Sequence, residues 1–115
     1  MAGDRVAAAE RGATVIADRV VAKIAARAAR EALDSVPEDG SPPHATVTVH
    51  HGSVRVRIGV ELEYPVDIGA RCGAVRGQVA HRVTTLAGLD VREVAVRVER
   101  LHSDSSRAAD RGRIR

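Results

Sequence analysis

The sequence predicts an α+β domain in which two helices pack on one face of a three- to four-stranded sheet, in the order (β)αββαβ. Three observations predict it. Residues 45–64, ATVTVHHGSVRVRIGVELEY, alternate apolar and polar on both sides of a His-Gly step. A period of two places Val54, Val56, Ile58, Val60, Leu62 and Tyr64 on one strand face, and Arg55, Arg57, Glu61 and Glu63 on the other. Two flanking segments carry apolar residues at helical spacing, and a Val-rich alternation returns at residues 91–101. A hairpin that is dry on one side needs a cover, and two amphipathic helices provide one.

Residues 1–11 are small and charged and read as a flexible N-terminus. Residues 12–16, GATVI, suit a brief strand because they are short and β-branched. Without that strand the order is αββαβ. Over residues 18–33, Val20, Ile24 and Ala28 recur at spacing four, and Val21, Ala25 and Ala32 widen the stripe. Asp18 is placed as an N-cap or first-turn acid. Arg19, Lys23, Arg27 and Arg30 form a basic stripe on the other side, either a solvated face or a binding patch. Residues 37–43, PEDGSPP, form a loop inside the domain.

The hairpin comes next. Gly52 tolerates the positive φ of a tight turn. An even loop at His51-Gly52 sets Val49 opposite Val54 and Val47 opposite Val56, and it pairs Thr48 with Arg55 and Thr46 with Arg57. Pro65 ends the second strand, and Asp67 caps the helix that follows. Ile68, Cys72, Val75, Val79, Val83 and Leu86 make its apolar stripe, and Gly88 closes it. Gly69, Gly73 and Gly77 line one flank, each costing up to about 1 kcal/mol against Ala. That cost predicts close packing against Ala22, Ala25, Ala26 and Ala29 of the first helix, the alternative being a partner helix. In the last strand Val94, Val96 and Val98 alternate with Ala95, Arg97 and Glu99. Residues 102–115 are polar, basic and aperiodic and read as a disordered tail. The folded domain is thus expected over residues 12–101.

Composition narrows the function. The 115 residues suit one domain, and 44% are hydrophobic, with no Trp or Phe and one Tyr. The core is therefore aliphatic and small-sided. The net charge is +3 and Lys23 is the sole lysine, but acids are interspersed with the arginines. The single Cys72 forms no internal disulfide and fits a reducing compartment. No stretch approaches the roughly 20 apolar residues of a membrane span, and the N-terminus lacks an apolar signal-type run. The expectation is a soluble intracellular protein, any membrane association coming through a partner or a surface.

No catalytic or metal-binding pattern stands out. His44, His50, His51, His81 and His102 lack Cys or His neighbours at ligand spacing. Cys72 sits within the buried stripe of its helix and acts as a small hydrophobe. The segment GARCGAVRG lacks the Lys-Ser/Thr of a nucleotide loop and the Gly-x-Gly start of a dinucleotide one. Glu61 and Glu63 share the open sheet face with Arg55, Arg57, Arg97 and Glu99, which predicts cross-strand ion pairs rather than an acid/base pair. No enzyme and no cofactor are expected. A basic nucleic-acid-binding module is the alternative. Single-stranded RNA readers of this layout stack bases on sheet aromatics, and this face has none, Tyr64 having the parity of the buried face. Binding would then be weak, backbone-directed and salt-sensitive.

Three stretches resemble one family. IADRVVAKIAARAA is similar to its opening Ile-x-x-x-Val-Val-x-x-Ile-Ala-x-x-Ala-Ala signature. VRVRIGVELEYPVDI is similar to its alternating strand, which ends in Tyr, a turn and a helix start. VAHRVTTLAGLDVREVAVRVERL is similar to its helix with a Gly-Leu-x-Val turn and closing Val-rich strand. The family is the alkaline-shock, or envelope stress response, proteins of Gram-positive bacteria, and the Ala/Arg-rich composition suits an actinobacterial member. The closing strand departs from the family where Ala95 stands in place of a frequent Asn. The resemblance implies a non-catalytic cytoplasmic scaffold or binding protein linked to envelope homeostasis. It also implies a protein partner, membrane-anchored in many cases, and self-association. The candidate partner-binding residues are Arg55, Arg57 and Arg97 on the sheet and Arg19, Lys23, Arg27 and Arg30 on the first helix.

Overall fold

A computed structural model describes residues 2–33 and 36–103, with side chains from residue 18 onward. Its elements are α1 (Ala2–Leu33), β1 (His44–His50), β2 (Ser53–Tyr64), α2 (Ile68–Ala87) and β3 (Asp90–Ser103). The class is α+β, in the order αββαβ. The N-terminal expectations are corrected. Residues 12–16 are helical, and α1 begins at Ala2 rather than near Asp18. The Ala-rich run on either side of GATVI favours helix, and extending a helix by a residue costs less than nucleating a separate strand. Asp18 therefore lies inside α1 and is no N-cap. The last strand extends through His102 and Ser103, and the rest of the expected tail, residues 104–115, lies outside the described residues.

β2 is the central strand, antiparallel to β1 and parallel to β3. Val49 lies opposite Val54 and Val47 opposite Val56, the register the alternation demands. His51 and Gly52 both take positive φ, 48° and 78°, the signature of a type I′ hairpin turn. The Asp90 N–H donates to the Gly52 carbonyl at 2.9 Å and ties the turn to the start of β3. β3 carries two register shifts against β2, which leave Arg92 and Glu99 as extra residues.

Both helices lie on the valine face. Val54, Val56, Ile58, Val60 and Leu62 pack with Val21, Ala25, Ala28, Ala29 and Leu33 of α1 and with Val75, Val79 and Val83 of α2. Burying each Val or Ile side chain contributes about 1.5–3 kcal/mol, so this layer is the main source of stability. The stripe of α1 centres on Val21 and Ala25, and Val20 is 49% exposed. Tyr64, placed on the buried face by parity, is 54% exposed because it is the last residue of β2 and the layer does not reach it.

α2 has the caps the sequence predicts. The Asp67 carboxylate accepts from the Ala70 N–H at 3.0 Å, and Gly88 at φ 67° donates its N–H to the Thr84 carbonyl. Cys72 is buried. The glycine flank is a correction. Gly69, Gly73 and Gly77 are exposed and do not face α1. A Cβ at Gly73 would have Arg76 Nη2 at 4.0 Å as its nearest neighbour, and one at Gly77 would meet nothing within 4 Å. Gly73 stands one position, about 100° of helix, beyond Cys72 on the buried stripe, which turns it to solvent. Among the described residues no helix is long and apolar enough to cross a membrane.

Candidate binding face on the open sheet

The sheet face away from the helices carries Thr46 and Thr48 from β1, Arg55, Arg57, Gly59, Glu61 and Glu63 from β2, and Glu93, Ala95 and Arg97 from β3. Two of its carboxylates, Glu61 and Glu99, contact histidines instead of the expected Arg55, Arg57 or Arg97. His44 Nε2 lies 2.6 Å from Glu99 Oε1, a contact that spans β2 from one edge strand to the other. Two features make it possible. Glu99 is the extra residue of the second β3 irregularity, which turns it onto this face. Gly59 is the strand residue beneath the pair, and a Cβ there would meet both the His44 ring and the Glu99 carboxylate. Gly59 is the one position of this contact that alternation alone does not single out. Its signal was the gap in the polar row Arg55, Arg57, Glu61, Glu63.

The second carboxylate is roofed by the α1–β1 loop. Glu61 Oε1 lies 2.7 Å from His102 Nε2, and the two side chains are only 15% and 9% exposed. The loop turns at Gly40, whose N–H donates to the Pro37 carbonyl at 2.8 Å. A Cβ on Gly40 would stand 3.2 Å from both Glu61 Oε1 and His102 Nε2, so the loop passes closely over the pair and a larger residue would press on it. The His102 hydrogen bond holds the Glu61 carboxyl below its ordinary value of 4.5. Burial works in the opposite direction, while the Ser41 backbone and the charge of Arg100 reinforce the lowering.

The arginines are left over. Among the described residues no carboxylate pairs with Arg55, Arg57 or Arg97. Arg57 stands between Thr46 and Ala95, and Arg55 between Thr48 and Glu93, with which it forms no ion pair. Arg97 is the neighbour of Gly59 on the edge strand. The small residues Thr46, Gly59 and Ala95 leave a depression of about 330 Å³ edged by Arg57, Arg97 and His44. A guanidinium fork beside hydroxyl and glycine surface suits a carboxylate or phosphate group.

The helix arginines are separate from this face, because the core lies between them. Lys23 and Arg27 line a groove of about 380 Å³ between α1 and α2, together with Ile24, Leu86 and the Arg82–Glu31 ion pair at 3.2 Å. Arg19 and Arg30 are exposed on α1 and do not line that groove. The seven predicted residues therefore form two groups on opposite sides of the molecule. Among the described residues no three His, Cys, Asp or Glu side chains are placed to share a metal ion. No family model, curated protein or solved structure matches the chain.

Proposed function

We propose that this chain is a non-catalytic binding module that docks an acidic segment of a protein partner on its open sheet face. One observation carries the reading. Among the described residues Arg55 and Arg57 have no ion-pair partner, while two nearby acids of the face, Glu61 and Glu99, contact His102 and His44. Desolvating an arginine without a partner is costly, so a partner that covers this face must bring carboxylates or phosphates. The resemblance to the alkaline-shock proteins supplies the setting. The module acts as a cytoplasmic scaffold in envelope stress, held near the membrane by a membrane-anchored protein, and self-association belongs to the same reading.

Affinity capture from the host's membrane fraction, with and without nuclease, tests the proposal. A membrane protein is expected to survive nuclease and to be lost with the R55E/R57E double variant. A complex that nuclease removes would replace this reading with backbone-directed nucleic-acid binding. The same free arginines favour that alternative, although the face has no aromatic residue for base stacking.

A further inference from the structure

We propose that β3 pairs with β3 of a second copy, antiparallel about a two-fold axis at Ala95, so that two three-stranded sheets join into one of six strands. This gives a surface to the self-association in the preceding reading, but it rests on the edge strand itself.

β3 is 14 residues long and no described element pairs with its outer edge. Unpaired N–H and C=O groups along such an edge are a template for another strand. On the helix side, Val94, Val96 and Val98 are only half-buried and Leu101 is exposed. The two irregularities bound a regular stretch, Glu93 to Val98, in which Glu93, Ala95 and Arg97 face the open side.

Register selects the partner. With the axis at Ala95, Glu93 of each copy meets Arg97 of the other, Val94 meets Val96, and the two small Ala95 side chains meet at the centre. Among the described residues neither Glu93 nor Arg97 has another ion-pair partner. Moving the axis to Val96 sets Glu93 against Glu99, and moving it to Arg97 sets two arginines together. An axis between residues sets valines against charges, because a one-residue slip exchanges the faces. Like charges directly opposite destabilise a strand pair, and opposite charges stabilise it. The irregularities at either end discourage indiscriminate pairing, and the charge pattern between them matches its own copy.

Light scattering and sedimentation equilibrium on the full chain test this. The wild type is expected to reach twice the 12.2 kDa chain mass as concentration rises. Glu93→Arg and Arg97→Glu should each weaken the dimer by roughly tenfold or more, because each reversed contact occurs twice. The E93R/R97E double variant restores the complementarity and should restore the dimer. The R55E/R57E variant should lose the acidic partner and keep the dimer, which separates the two proposals. A wild type that stays monomeric would overturn the inference. So would single variants that dimerise normally, or a double variant that is folded by circular dichroism and still monomeric.

Discussion

At the scale of single residues, the open face is shaped by small departures from regular structure. Glu99 reaches His44 only because β3 carries an extra residue and β2 carries Gly59 under the contact. Glu61 is handed to His102 by a loop whose closest point is Gly40. Neither pairing was legible from alternation alone, because a register shift and a loop path involve residues far apart in sequence. The positions of Arg55 and Arg57 were legible, since a period of two needs only neighbours. Glu61 has a pH consequence. Its folded value lies below the ordinary 4.5, so the stability it contributes is complete above 4.5 and is lost as pH falls through the lowered value. Glu61→Gln should therefore lower the urea midpoint near neutrality and converge with the wild type in acid. A difference constant across pH would contradict this assignment. At the turn, His51 holds a φ of 48°, a conformation that costs most L-residues about 1–2 kcal/mol and suits Asn better. His51→Asn should raise the urea midpoint by the equivalent of about 0.5–1 kcal/mol with an unchanged slope.

At the scale of elements, the hairpin and α2 were readable and α1 was not. The hairpin was readable because burial on one face fixes its register. The caps of α2 were readable because Asp67 and Gly88 act on their own helix. The start of α1 was misread because β-branched GATVI is locally compatible with a strand, whereas the Ala-rich surroundings carry it into a helix. The glycine flank of α2 was misread for a related reason. Spacing shows that Gly69, Gly73 and Gly77 share a side but not what that side faces. With open space around them, Gly73→Ala and Gly77→Ala should each stabilise the monomer by about 0.5–1 kcal/mol through helix propensity. Calorimetry on the double variant should show a melting temperature higher by about 4–16 °C. A lower value would mean that the flank is packed against something in the folded chain.

At the scale of the whole molecule, one core separates two basic surfaces. Lys23 and Arg27 border a groove on the helix side, where Glu31 already engages Arg82. Arg55 and Arg57 lie across the sheet, on a face where Glu61 and Glu99 contact His102 and His44 instead of these arginines. The proposed acidic partner docks on the sheet side. Amide NMR during titration with a hexaglutamate peptide tests that claim most directly, because it reports which surface an acidic chain selects. Docking on the sheet gives shifts centred on Thr46, Thr48, Arg55 and Arg57 that fade as salt is raised from about 50 to 200 mM. Shifts confined to Lys23, Arg27 and Leu86, with the sheet amides unmoved, would contradict it.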